Sequence, residues 1–276
     1  MVFLNDQLVA AGDARVSVYD RGFTSGDGVF ETLKVIDGRP FAQTRHLDRL
    51  AASLRIVGMP PMDSDRLRFA IGQTIAANRE RIGPVGRLRV TVTPGAPASA
   101  APLSRSDDGP TLVITADPQP PHPADVSLLS VEWPHNERGP LVGAKTTSYA
   151  ANLTILEWVK AQGADEALIY DTQGRLCEAT TANVVIESGG QLCTPTLATG
   201  CLAGVTRALA LEWGLITERD LDSSDVHTAS EVLICSSTRD LIAARTVDGR
   251  TLTTPGPLSA RAIEKFHAHA AQHIDP

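Results

Sequence analysis

Lys145 is the residue in this chain with the clearest claim to chemistry. It sits in Gly143-Ala144-Lys145-Thr146-Thr147-Ser148-Tyr149-Ala150. The chain carries 21 arginines but only four lysines, Lys34, Lys145, Lys160 and Lys265. A guanidinium stays protonated and cannot condense with a carbonyl, whereas a lysine amine can. A lysine kept between small residues, ahead of a helix, is a candidate for amine chemistry; the plainer reading is a surface lysine. Glu178 is a second candidate. It ends a strand in Cys177-Glu178-Ala179-Thr180-Thr181-Ala182-Asn183. A carboxylate among small apolar residues needs a partner if buried, either a protein cation or a protonated ring nitrogen. A third is Thr199-Gly200-Cys201-Leu202-Ala203-Gly204-Val205-Thr206-Arg207, where two glycines and a threonine precede a helix. Free N–H groups and the helix dipole there suit a phosphate, but a plain glycine turn with a threonine cap is an equal reading. Ser236-Ser237-Thr238 follows an apolar strand and offers three hydroxyls, for an anion or for local capping.

The elements that must position these groups follow from periodicity. Val2-Phe3-Leu4 and Gln7-Leu8-Val9 flank a turn at Asn5-Asp6. Arg15 to Tyr19 alternates as a strand. Val29 to Ile36 and Arg39 to Ala42 form a hairpin around Asp37-Gly38. A helix is expected from Gln43 to Val57, ended by Gly58 and Pro60, and a second from Asp63 to Arg81. Arg87 to Thr93 is a strand whose Leu88, Val90 and Val92 face one way and Arg87, Arg89, Thr91 and Thr93 the other. That polar face is either solvated or the wall of an anion site. Pro94 to Pro110 reads as a mobile loop and Thr111 to Ala116 as a strand. The proline-rich run after Asp117 marks a linker. The expected domains are therefore 1–117, a linker at 118–125, and 126–276. In the second, strands at Val126 to Glu132, Glu166 to Asp171, Arg175 to Ala179, Ala182 to Glu187, Gln191 to Thr194 and Val232 to Ser236 alternate with helices at Tyr149 to Gln162, Gly204 to Trp213 and Ala260 to His273. Hairpins interleaved with helices predict an α+β fold.

Composition excludes several classes. A length of 276 residues with 42% hydrophobic and 21% charged residues is that of a globular protein with a proper core. No apolar run reaches the roughly 18 residues of a membrane span, and the N-terminal residues lack a signal-peptide pattern. A cytoplasmic location is expected. A net charge of −7 without a basic block argues against nucleic acid. Cys177, Cys193, Cys201 and Cys235 form no CxxC pair and read as buried thiols; neither they nor His267, His269 and His273 have the pattern of a metal site, so no metal is expected. Gly26-Asp27-Gly28 lacks the third glycine of a dinucleotide fingerprint and precedes a strand, not a helix.

A condensing lysine, a phosphate cup and a carboxylate for a pyridinium nitrogen together describe pyridoxal 5′-phosphate. The chain resembles the class IV, or fold type IV, pyridoxal-phosphate enzymes. These include branched-chain and D-amino acid aminotransferases, (R)-amine transaminases and aminodeoxychorismate lyases. The resemblance covers nearly the whole chain. It rests on Asp20-Arg21-Gly22 with Gly26-Asp27-Gly28-Val29-Phe30-Glu31, on His46-Leu47-Asp48-Arg49-Leu50, on Lys145-Thr146-Thr147-Ser148-Tyr149, on Glu178 with Asn183, and on Gly200 to Arg207. It implies that Lys145 is the Schiff-base lysine and proton shuttle and that Glu178 binds the pyridine nitrogen. Arg49, Val205, Thr206, Ser236 and Ser237 then hold the phosphate, Gly204 adjoins them, and Leu202 packs on the ring. Without the motif, Arg49 reads as a surface residue of an amphipathic helix. The resemblance further implies a small N-terminal α+β domain, a larger C-terminal domain with a barrel-like sheet, and a homodimer.

Departures from the family pattern bear on the substrate. The D-amino acid enzymes place Arg and His after the strand ending at Thr93; here the loop reads Pro94-Gly95-Ala96-Pro97-Ala98-Ser99-Ala100-Ala101. Their tyrosine before the Glu31 position is Phe30. Branched-chain enzymes carry a tyrosine five residues after the lysine, where this chain has Ala150. The resulting expectation is a transaminase acting on an amino acid or (R)-amine and a 2-oxo acid, leaning to D-amino acids, with Phe30, Arg87 and Arg89 at the substrate. Arg89 is expected to hold the carboxylate. The Lys-Thr-x-Ser-Tyr run equally resembles lyases, so an aminodeoxychorismate lyase is the first rival. A non-catalytic ligand-binding protein on the same fold is the second.

Overall fold

In the computed structural model, which describes residues 1–97, 106 and 109–276, the contacts divide the chain into two compact units. The first comprises Met1–Pro120 with Ala144–Tyr149 and Asp275; the second comprises Pro121–Gly143, Ala150–Ile274 and Pro276. Lys145 therefore belongs to the first unit. The reason is local: Thr146 bridges Val29, and the Thr147 N–H donates to the Gly28 carbonyl at 2.8 Å.

The first unit contains β1 (Val2–Leu4), β2 (Gln7–Val9), β3 (Val29–Ile36), β4 (Arg39–Pro40), β5 (Val85–Thr93) and β6 (Thr111–Pro118) in one antiparallel sheet of order β2-β1-β6-β5-β3-β4. Its helices are α1 (Arg21–Ser25), α2 (Gln43–Ile56), α3 (Ser64–Ala77) and α4 (Arg79–Ile82). On β5 the expected alternation holds: Leu88, Val90 and Val92 are buried in the core with Val29, Leu33 and Val35 of β3. On α2 the inward stripe is His46, Leu47, Leu50, Ser53 and Leu54, at helical spacing.

Two expected elements differ. Arg15 to Tyr19 is not a strand. Ser17 Oγ accepts the Tyr19 N–H at 3.1 Å and the Ser17 carbonyl accepts the Asp20 N–H, turning the chain, while Val16, Val18 and Tyr19 stay exposed. Alternation marks two faces but not the neighbour a strand must pair with. The helix expected to reach Arg81 ends at Ala77. Asn78 interrupts it, its Nδ2 donating to the Thr74 and Met1 carbonyls, and α4 follows as a single turn.

The second unit contains β7 (Val126–Ser130), β8 (Glu166–Tyr170), β9 (Leu176–Ala179), β10 (Asn183–Ser188), β11 (Gln191–Pro195), β12 (Thr217–Arg219), β13 (Val232–Ser236), β14 (Asp240–Val247) and β15 (Arg250–Thr251). They form a mixed, curled half-barrel sheet of order β12-β11-β10-β13-β14-β7-β8-β9, with β15 on β14. Its helices are α5 (Ala150–Ala161), α6 (Val205–Glu212), α7 (Ser223–Thr228) and α8 (Pro257–Gln272). The core gathers Leu128, Leu168, Leu176, Val184, Ile186 and Ile234. Most of the Pro94 to Pro110 loop lies outside the described residues. Among the described residues no helix is long and apolar enough to cross a membrane.

Candidate active site

In the first unit, β3 presents chemically different residues on its two faces. Phe30 lies on the face that carries Arg89 and Thr91 of β5, with Phe30 opposite Thr91 in register. The Arg89 guanidinium carbon stands 3.7 Å from the Phe30 ring centroid, a cation–π distance. Lys145 Nζ stands 4.4 Å from the same centroid and 5.9 Å from that of Tyr149. The Tyr149 ring meets Phe30 edge-on at 5.8 Å. Two cations and two rings therefore converge. Arg89 is half-buried, and its Nε donates to Thr91 Oγ1 at 3.1 Å. Arg87, on the same face, is exposed and pairs in register with Lys34.

Backbone contacts fix Lys145. Its carbonyl accepts the Phe30 N–H at 2.9 Å and its own N–H donates to Ser53 Oγ at 3.0 Å. The segment runs so close to β3 that Gly28 has no room for a side chain: a Cβ there would lie 2.9 Å from Thr147 Oγ1 and 3.0 Å from the Val92 carbonyl. The Thr147 and Ser148 hydroxyls both donate to the Gly26 carbonyl.

On the other face of β3, Glu31 is fully buried. It accepts from Arg49 Nε and Nη2 at 2.7 Å each, and lies 2.7 Å from His46 Nδ1. Burial opposes its ionisation, but the Arg49 charge and the hydrogen bonds from Arg49 and His46 outweigh it and hold the carboxyl at about 2. Burial pushes the His46 imidazole below its ordinary value, against the pull of Glu31. Arg49 is thus a deeply held side chain, 10% exposed, rather than a solvated one. Neither the Glu31–His46–Arg49 cluster nor the placing of Tyr149 beside Lys145 was among the sequence expectations. The spacing of His46 and Arg49 on one helix face was the available signal for the first.

In the second unit, Glu178 on β9 accepts the Leu202 N–H at 3.0 Å through Oε2. Asn183, buried at the start of β10, donates to the Leu202 carbonyl at 2.8 Å and toward Glu178 Oε2 at 3.5 Å. Leu202 is thereby held on both sides of its backbone. The helix α6 begins at Val205 with Gly204 as its N-cap, and no side chain caps the amides of its first turn. A Cβ on Gly204 would lie 1.9 Å from Asn183 Oδ1, so a side chain here would push Asn183 aside. Ser236 ends β13, and Ser237 follows in the turn to β14.

A ring nitrogen of His135, Cys177 Sγ and a Glu178 oxygen lie within 4.8 Å of one another. Burial, reinforced by Glu178, pushes the Cys177 thiol far up, so it stays protonated and is a poor metal ligand. Burial likewise pushes Cys201 up to about 11 and Cys235 up to about 12. On α8, His269 stacks on Trp213 at 5.0 Å.

Chemically, the first unit offers an amine beside a ring and a cation. The second offers a braced carboxylate, a helix N-terminus and hydroxyls. Residues 28–247 match the family described as amino-transferase class IV. A Methanocaldococcus jannaschii protein, named provisionally as a branched-chain-amino-acid aminotransferase, is 29% identical over 96% of this chain and 94% of its own length. The bifunctional aminodeoxychorismate lyase / D-amino acid transaminase of Mycobacterium tuberculosis is 27% identical over 91% of this chain and 92% of its own. A structure described as a hypothetical aminotransferase from Mycobacterium tuberculosis, in PLP-bound form, superposes with a TM-score of 0.87 at 27% identity, covering 99% of both chains.

Proposed function

The chain belongs to the class IV aminotransferases, and from that premise we propose that it is a transaminase moving an amino group between an amino acid or (R)-amine and a 2-oxo acid. The family's cofactor is pyridoxal 5′-phosphate. The residues present fit it: an amine, a carboxylate braced by a backbone N–H, and a helix start without a side-chain cap, where a methyl on Gly204 would displace Asn183. On this reading Lys145 attaches the cofactor and Glu178 faces its ring nitrogen. Gly204, Val205, Thr206, Ser236, Ser237 and Arg49 serve the phosphate, and Leu202 the ring face. When bound, the cofactor supplies an electron-withdrawing ring that takes up the electron pair left at Cα as its proton departs.

The chain's own residues do the rest. Lys145, which would hold the cofactor, would also be the base that moves the proton at the substrate Cα. Phe30 and Tyr149 wall its amine and exclude water from that side. Arg89 holds the substrate carboxylate by a charge-assisted pair, and Arg87, on the exposed end of the same face, adds attraction at longer range. The observation that carries this reading is the convergence of Lys145 Nζ and the Arg89 guanidinium on one ring, Phe30. A carboxylate gripped by Arg89 sets its substituted carbon near the amine.

The lean to D-amino acids rests on Ala150, where branched-chain enzymes carry tyrosine. A lyase releasing pyruvate and p-aminobenzoate from aminodeoxychorismate is the second reading, supported by the Lys-Thr-x-Ser-Tyr run and by the bifunctional relative. We also propose a homodimer. In the first unit Val18, Tyr19 and Phe23 are exposed, and in the second Trp133, Leu153 and Trp158 are. The deciding experiment is a spectral titration of the holoenzyme with D-alanine, L-leucine, (R)-1-phenylethylamine and aminodeoxychorismate. Conversion of the cofactor to its amine form by one of the amines, reversed by a 2-oxo acid, establishes the transaminase and its stereochemistry. Silence toward all amines, with pyruvate released from aminodeoxychorismate, establishes the lyase.

A further inference from the structure

We infer that Arg239 is a positioning residue for the phosphate: it orients the Ser236 hydroxyl so that the hydroxyl hydrogen is presented to the anion. The inference rests on the reading of Ser236 as a phosphate holder. Arg239 follows Ser236 across the turn from β13 to β14 and is bonded to it twice. Its backbone N–H donates to the Ser236 carbonyl at 3.1 Å, and its Nε donates to Ser236 Oγ at 3.0 Å. A hydroxyl has a single hydrogen. An oxygen that accepts from a guanidinium must turn that hydrogen elsewhere, and a charged donor polarises the O–H bond and makes it the stronger donor.

The guanidinium itself is fixed. Nη1 donates to Glu166 Oε1 at 2.8 Å, and Nη2 donates to Thr181 Oγ1 at 2.7 Å and to the Thr181 carbonyl at 3.2 Å. Glu166, only 3% exposed, also accepts from the Thr180 and Thr181 hydroxyls and from the Thr181 N–H. The Thr180–Ala182 turn links β9, which carries Glu178, to β10, which begins with Asn183. One arginine thus ties the Ser236 turn to the frame that bears the ring-nitrogen carboxylate. Glu166 neutralises Arg239, so its influence on a phosphate runs through the Ser236 hydroxyl rather than through net charge.

The test is a coupling experiment on the apoenzyme, reading cofactor dissociation constants by absorbance for pyridoxal 5′-phosphate and for pyridoxal, which lacks the phosphate. The variants are Ser236→Ala, Arg239→Met and both together. A parallel set carries Glu166→Gln, so that no buried carboxylate is left bare if Arg239→Met alone misfolds. Each single change is expected to weaken pyridoxal-phosphate binding about tenfold, the worth of one charge-assisted hydrogen bond. The double variant is expected to lose no more than either single one, and pyridoxal binding to stay unchanged. The 31P resonance of bound cofactor is expected to shift alike in both single variants. Additive losses, or equal losses for pyridoxal, would overturn the inference while leaving Ser236 on the phosphate. No loss in Ser236→Ala would overturn the phosphate reading of Ser236 and this inference with it.

Discussion

Glu31 and Arg49 meet through two hydrogen bonds of 2.7 Å each, on a carboxylate with no solvent exposure. The pair ties the middle of β3 to α2 from inside the core, one residue from Phe30 and one helical turn from Ser53. Replacing Glu31 by Gln removes the anion that faces the mostly buried Arg49 charge. Breaking a buried pair from one side costs about 3–5 kcal/mol. Urea unfolding of Glu31→Gln is expected to show a loss at the lower end, about 3 kcal/mol, because Arg49 keeps some exposure. A loss below roughly 1 kcal/mol, the level of a surface pair, would mean that the pair does not hold β3 to α2.

The same cluster sets an acid limit on stability. Glu31 is held at about 2 against an ordinary 4.5, so its contribution is fully present above 4.5 and is lost as pH falls from there toward 2. His46 is lowered from 6.5. The unfolded chain takes up that proton first, so stability also declines as pH falls below 6.5. Both effects run in one direction. Unfolding midpoints at a series of pH values are expected to fall in two stages, with Glu31→Gln flattening the lower stage. A wild-type profile that stays level from pH 6.5 to 4.5 would remove His46 from this account.

Much of the first unit is legible because its chemistry is periodic. Leu88, Val90 and Val92 announce a buried strand face, and Arg89 falls on the opposite face by arithmetic alone. Leu47, Leu50 and Leu54 do the same for α2. Lys145 stands out by its rarity and its small neighbours. Other features depend on what comes near in space, which local pattern does not encode. Arg15 to Tyr19 alternates as a strand does, but among the described residues no strand pairs with it. Asn78 breaks a helix because its side chain reaches the Met1 and Thr74 carbonyls. Arg239 bonds to Glu166 and Thr181, more than fifty residues away in sequence. By contrast, Asp222-Ser223-Ser224-Asp225 carries a capping box that sequence could have revealed, and α7 starts there.

Gly204 supplies a test of the second unit. An added methyl would collide with Asn183 Oδ1 and displace the side chain that holds the Leu202 carbonyl. Gly204→Ala is therefore expected to weaken pyridoxal-phosphate binding by roughly tenfold or more, as the Leu202 backbone loses its bond. In an Asn183→Ala background the obstacle is gone, and the further loss from Gly204→Ala is expected to be small. Equal losses in the two backgrounds would show that the methyl acts at α6 itself, not through Asn183.

Arg89 supplies the sharpest test of substrate recognition, because its role and its packing can be separated. Stacked on Phe30 and bonded to Thr91, it is placed without needing a substrate. Arg89→Leu keeps apolar contact with the ring and removes the charge together with the Thr91 hydrogen bond. A charge-assisted hydrogen bond contributes about 1.5–3 kcal/mol, or roughly 10- to 100-fold in an equilibrium constant. KM for amino acids and 2-oxo acids is expected to rise by that factor, while KM for (R)-1-phenylethylamine, which has no carboxylate, is expected to change little. Burial and the neighbouring Arg87 lower the Arg89 pKa, yet guanidinium remains charged at any working pH, so the difference between the two substrate classes is expected to be constant from pH 6 to 9. Equal effects on acids and on the amine that has no carboxylate would mean that Arg89 shapes the pocket through Phe30 rather than gripping a carboxylate, and the polar face of β5 would lose its place in substrate binding.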